Sequence, residues 1–269
     1  MRILLVHNYY QTSSPSGENQ VVQDDARLLK SYGHDVEFYE VFNDSLREAS
    51  PLDKIGVALG TAFRFDVYQR FKMFLKAHKP DIVHVHNTFP LLSPAVFKAC
   101  HKTGVPVVQT LHNYRWVCAN GLFLRENKIC EECLDHGFSR GVLYGCYRNS
   151  RLMTLPVSAM IAGNRFFGTV WSNVNRFIAL TQFAKKKFVA AGCPPEKICV
   201  RSNVLLNPPE ASSEDDGYVL FVGRLSEEKG IGVLVDTWKK LNGIPLKIVG
   251  DGPMRELVEN QIGGQKGVE

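Results

Sequence analysis

Short, nearly all-apolar runs rich in β-branched residues recur along most of this chain, and amphipathic stretches alternate with them. Ile3 to Val6 precedes the amphipathic Val21 to Tyr32, and Val36 to Tyr39 follows. Asp81 to His86 precedes Pro94 to Lys102, and Val107 to Leu111 comes next. Phe177 to Leu180 precedes Gln182 to Ala191, and Ile198 to Arg201 closes the series. Strands apolar on both faces and separated by helix-length segments predict a parallel sheet covered by helices on both sides. Residues 1–206 therefore read as one doubly wound, Rossmann-like α/β domain.

Around 207–217 the composition changes to Asn-Pro-Pro-Glu-Ala-Ser-Ser-Glu-Asp-Asp-Gly, which lacks a hydrophobic face and reads as a linker. Residues 218–269 then offer a strand from Tyr218, a helix over Ile231 to Leu241, a strand over Leu246 to Val249 and a helix start at Pro253. Two strands bury little, so this segment reads as part of a second domain. The expectation is a chain that stops before that domain is complete.

Charge and hydropathy exclude little. The net charge of +5, from 32 basic and 27 acidic residues, suits an anionic substrate or an anionic membrane surface equally, or a plain solvated surface. Nothing points to nucleic acid. The apolar run at the N-terminus is too short for a signal-peptide core, and the stretch Leu152 to Val170 is interrupted by Pro156, Gly163, Asn164 and Arg165. The expected location is the cytoplasm, with peripheral contact at the inner face of the membrane as an option. Arg165 and the run Lys185-Lys186-Lys187 would serve that contact.

Chemistry concentrates at the carboxyl ends of the expected strands, where open α/β sheets bind ligands. The first strand enters the loop Ser13 to Asn19, whose Gly17 and Glu18 lie at the start of a helix; free N–H groups there suit an anion, although an ordinary turn is as good a reading. The third strand alternates so that His84 and His86 share a face, His84 as a core histidine and His86 at the ligand edge. The fourth ends in His112-Asn113-Tyr114-Arg115, a polar cluster at the same edge. In the second domain, Gly223-Arg224-Leu225-Ser226-Glu227-Glu228-Lys229-Gly230 brings Arg224 and Lys229 to a helix N-terminus where a diphosphate fits. Gly250 and Gly252 form a second glycine turn at that edge; either turn alone reads equally as an ordinary strand-to-helix connection.

Four cysteines, Cys118, Cys130, Cys133 and Cys146, lie in an insertion at about 113–150 with the spacing C-x11-C-x2-C-x12-C. A structural zinc site with four thiolates is the first reading; free or redox-active thiols and disulfides are the others. Cys100, Cys193 and Cys199 read as core or surface residues.

Together, Ser16-Gly17-Glu18, Asp81 to Asn87, Thr110-Leu111-His112-Asn113, Phe221 to Gly230 and Gly250-Asp251-Gly252-Pro253 resemble the retaining glycosyltransferases of family 4, the group 1 enzymes of GT-B fold. Leu111 to Leu124 with the Cys130/Cys133 pair resembles a bacterial subgroup with this cysteine insertion. The resemblance implies two Rossmann-like domains, a nucleoside-diphosphate-sugar donor, a glycan or lipid-linked acceptor in cell-surface polysaccharide synthesis, and no catalytic metal. It places Gly17 near the donor phosphates and acceptor, His112 beside the reacting sugar as the catalytic residue, and Arg224 with Lys229 on the diphosphate. Glu18, His86, Asn113, Arg115, Gly250 and Gly252 are further substrate-binding candidates.

The family's Glu-x7-Glu pair has no counterpart within the 269 residues, and Glu256 with Glu259 does not replace it. A weakly active or inactive chain is therefore expected. The competing reading is a non-catalytic module that binds a glycan or a membrane.

Overall fold

The computed structural model describes residues 1–10, 16–206, 208, 210, 215–241 and 243–269. Ser13 to Pro15 of the first loop, and much of the expected linker at 207–217, lie outside these. The chain divides into two compact units. One holds Met1–Phe123 and Cys130–Asn207; the other holds Leu124–Ile129 and Pro208–Glu269.

The first unit begins with β1 (Arg2–Tyr9), α1 (Gly17–Ser31) and β2 (Asp35–Phe42). The helices α2 (Ser45–Glu48), α3 (Pro51–Leu59) and α4 (Phe65–His78) lead to β3 (Ile82–Asn87), α5 (Ala95–Thr103) and β4 (Val107–Leu111). An antiparallel pair, β5 (Leu124–Arg125) and β6 (Lys128–Ile129), groups with the second unit. The insertion continues through α6 (Glu132–Asp135) and α7 (Ser139–Tyr144) to α8 (Arg151–Phe167). Then come β7 (Arg176–Ala179), α9 (Gln182–Ala190) and β8 (Ile198–Val200).

Six strands form one sheet in the order β2-β1-β3-β4-β7-β8, every pairing parallel. All six were expected from the apolar runs. Alternation along β1 sorts the core: Leu4 and Val6 pack with Val67, Phe71 and Leu75 of α4 and with Phe97 of α5, whereas Ile3 and Leu5 pack with Ala26 of α1 and with Val36. Both faces are covered, so β1 shows no exposed alternation after Arg2.

The order reverses between β1 and β3, which leaves a crevice above their carboxyl ends. Two asparagines build its floor. The Asn87 amide donates to the Asn8 carbonyl at 3.0 Å, and the Asn8 side chain accepts from the Leu91 N–H at 2.9 Å.

The segment Leu152 to Val170 is mostly α8, with Pro156 inside the helix and Val157, Met160 and Ile161 buried. Among the described residues, no helix is long and apolar enough to cross a membrane. Lys185 and Lys187 hold intramolecular partners, the Ile198 carbonyl at 2.7 Å and the Glu131 carboxylate at 2.5 Å.

The second unit contains β9 (Val219–Val222), a 3-10 turn at Glu227–Lys229, α10 (Ile231–Trp238), β10 (Leu246–Val249) and α11 (Arg255–Ile262). β9 and β10 pair in parallel around a core of Leu225, Ile231, Val235, Trp238, Leu246, Val258 and Ile262.

Candidate active site at the carboxyl edge of the sheet

The crevice beside β1 and β3 gathers four imidazoles. His7 comes from β1, His84 and His86 from β3, and His112 from the residue after β4. His86 and His112 lie nearly parallel, with ring centroids 5.3 Å apart, and Nδ1 of His86 is 3.0 Å from Nε2 of His112. His84 Nε2 meets the Thr110 hydroxyl at 2.8 Å, as a satisfied core histidine should. His7 Nε2 meets the Asn19 amide oxygen at 3.0 Å, which ties β1 to the first turn of α1.

These rings are neutral at physiological pH. Burial lowers His84 to about 4 and His112 to about 4, holds His86 well below its ordinary value, and lowers His7. The nearby histidines add to the depression of His86 and His112.

Beneath this cluster sits an ion pair that sequence reasoning missed. Asp25 projects from α1 among the buried Val21, Val22 and Ala26, and its carboxylate accepts the Arg201 guanidinium at 2.7 Å. Arg201 directly follows β8 at the ligand edge, a position that could have marked it. An acid on an otherwise apolar helix face could equally have marked Asp25. Among the described residues, one carboxylate and two imidazoles, those of Asp25, His84 and His86, lie within 4.8 Å of one another. Arg201 already places a fixed cation on that carboxylate, so the group fits a hydrogen-bonding role and not a metal ion.

Glu18 and Arg115 form the other side of the crevice. Burial raises the Glu18 carboxyl to about 8, offset in part by a hydrogen bond from Tyr10 and by the Arg115 charge. Its Oε1 is enclosed and has no hydrogen-bond partner among the described residues. The Arg115 guanidinium lies 4.7 Å over the Phe89 ring and 5.3 Å over the Tyr147 ring and donates to the Ala119 carbonyl. One cavity at this edge is lined by His86, Asn87, Phe89, Gln109, His112, Asn113, Arg115 and Met160. Gly17 opens α1, where Ser16 caps the helix by accepting from the Asn19 N–H; a Cβ at Gly17 would meet nothing within 4 Å.

In the second unit the two glycine turns run side by side. Gly223 N–H donates to the Val249 carbonyl at 3.0 Å and Leu225 N–H to the Asp251 carbonyl at 2.9 Å. A Cβ at Gly250 would stand 1.9 Å from the Gly223 oxygen, and one at Gly252 would stand 2.3 Å from the Leu225 oxygen. Only glycine permits that approach. Arg224 and Lys229 are exposed, and Gly230, at φ 75°, turns the chain into α10. Glu259 is held by Arg255 at 2.7 Å.

In the insertion, Cys133 is buried, and burial together with the neighbouring Cys118 and Cys146 raises its thiol to about 11. Those three thiols share one neighbourhood. None of the seven cysteines is in a disulfide, and among the described residues the four of the insertion are not gathered at metal-ligand spacing.

The doubly wound sheet and the parallel α/β unit after it define a GT-B-type, Rossmann-like protein. Residues 15–204 match the model of Glycosyltransferase Family 4, and the chain belongs to that family. An uncharacterized 42.6 kDa protein in the cps region of Klebsiella pneumoniae is 25% identical over 261 residues, covering 86% of this chain and 63% of its own length. An uncharacterized glycosyltransferase of Methanocaldococcus jannaschii is 21% identical, covering 97% of this chain and 63% of its own. This chain thus spans 63% of the length of each of these relatives. Among solved structures, the apo lipopolysaccharide outer core galactosyltransferase WaaB superimposes with a TM-score of 0.55 at 16% identity, over 100% of this chain and 67% of that one. Anabaena HepE in complex with UDP-glucose gives 0.53 at 19%, over 100% and 68%.

Proposed function

We propose that the protein of which this chain has the sequence is a retaining glycosyltransferase that moves a sugar from a nucleoside-diphosphate donor to a glycan or lipid-linked acceptor in cell-surface polysaccharide synthesis. The observation that carries the reading is the neutral His86–His112 pair set in the β1/β3 crevice of a family 4 chain. A neutral imidazole suits a sugar hydroxyl, because it can donate or accept a hydrogen bond without a charge to desolvate. Arg224 and Lys229 would bind the diphosphate and stabilise the charge that develops on it as the leaving group departs. The glycine turn at Gly250 and Gly252 supports the segment that carries them. Gly17 would leave room for a ligand over the N-terminus of α1, with Glu18, Asn113 and Arg115 as further substrate contacts. The UDP and UDP-glucose complexes of HepE support a nucleotide-sugar donor.

The test is a transfer assay with a panel of nucleoside-diphosphate sugars and lipid-linked acceptors, with the product anomer assigned by NMR. Release of nucleoside diphosphate with retained configuration, lost in His112→Ala, is expected. Binding of acceptor with no donor turnover by the chain or by a longer form would favour the non-catalytic module. The expected zinc site also stays a proposal, supported by the neighbourhood of Cys118, Cys133 and Cys146.

A further inference from the structure

The His86–His112 contact joins two neutral rings, so one nitrogen donates and the other accepts. Which does which is set by what lies behind His86. Its other nitrogen, Nε2, is buried with no hydrogen-bond partner among the described residues, and the Asp25 carboxylate stands 3.8 Å from it. A lone pair turned toward a carboxylate in a dry interior is repelled, whereas an N–H is attracted. Nε2 of His86 therefore carries the hydrogen, and its Nδ1 is the bare acceptor. It follows that Nε2–H of His112 donates to His86, which leaves Nδ1 of His112 with its lone pair free.

We infer that Asp25 and His86 form a positioning relay that fixes His112 as the Nε2–H tautomer, so that it meets a ligand as a hydrogen-bond acceptor for a sugar hydroxyl. The inference rests on the proposed role of His112 at the reacting sugar. Arg201 completes the relay by pairing with the Asp25 carboxylate at 2.7 Å, and Thr110 engages Nε2 of His84 at 2.8 Å. An outer group that sets the tautomer of an inner imidazole is an established device in catalysis.

The experiment is a long-range 1H–15N correlation spectrum of the uniformly 15N-labelled full chain near neutral pH, with His86 and His112 assigned by single substitution. Both rings are expected to show hydrogen on Nε2. In Asp25→Asn the signals of both should shift together toward a mixture of tautomers. Hydrogen on Nδ1 of His112 in the unsubstituted chain overturns the inference, and so do ring signals unmoved in a folded Asp25→Asn variant. Should that variant fail to fold, the unsubstituted spectrum alone decides. It is recorded without donor or acceptor, so a failed transfer assay and a failed tautomer assignment are separate results.

Discussion

The Asp25 carboxylate and the Arg201 guanidinium meet at 2.7 Å although 176 positions separate them in the chain. The contact ties the first helix to the exit of the last strand of the six-stranded sheet. Asp25 is 4% exposed at its side chain and Arg201 36%, so the acid depends on its partner for charge compensation far more than the base does.

Removing the base should therefore strand a buried charge. Arg201→Ala is expected to lower the stability of the first unit by about 3 kcal/mol. Arg201→Lys should lose less, because it keeps the charge and gives up the planar fork. Chemical denaturation at neutral pH measures both, and an Arg201→Ala variant as stable as the parent would refute the dependence.

The pH profile of stability should show two opposed limbs. His84 and His112 titrate near 4 when folded and near 6.5 when unfolded, so between these values the unfolded chain binds more protons and stability rises with pH. Glu18 titrates near 8 when folded against 4.5 unfolded, so the folded chain binds more protons in that window and stability falls as pH rises. The histidines dominate on the acid side, and above pH 6.5 only the fall from Glu18 remains of these terms. Glu18→Gln should flatten that upper limb without removing acid sensitivity, as read by urea denaturation from pH 4 to 9.

Two glycines should behave in opposite ways. Gly250→Ala forces a Cβ to 1.9 Å from the Gly223 oxygen, so it should disrupt the second unit by about 2 kcal/mol or more. Gly17→Ala meets nothing within 4 Å and should leave folding intact. Loss of nucleoside-diphosphate binding or transfer in folded Gly17→Ala would then report a clash with ligand. Calorimetry with UDP, beside thermal melts, separates the two cases.

The thiols of the insertion give a composition test. The zinc site proposed for the insertion, whose thiols would have to draw together around the ion, predicts about one zinc per chain after mild purification, lost in Cys133→Ser. Metal-free protein whose four insertion thiols titrate freely would refute the zinc reading.

The strands were legible because burial on both faces writes them as continuous apolar runs, and the rule for the ligand edge then picked out His86 and His112. Asp25 was hidden for a different reason: reading Val21 to Tyr32 as simply amphipathic assigns its acids to water, and only three-dimensional packing shows that Asp24 and Asp25 are buried. The helices α3 and α4 also went unread, although Ser50 followed by Asp53 carries a capping signal, with Ser50 accepting from the Asp53 N–H. In the second unit, the sequence places both glycine turns at one ligand edge and marks Gly250 and Gly252 as substrate-binding candidates. Their direct backbone contact gives Gly250 and Gly252 a supporting role that spacing alone does not reveal.

Arg115, gripped by Phe89 from the sheet's edge and by Tyr147 from the far end of the insertion, works as a rivet. It pins the two ends of the intervening segment to one wall of the crevice. Grafts that exchange the rest of the insertion while preserving Arg115 and Tyr147 are the natural way to alter the loop without losing that wall.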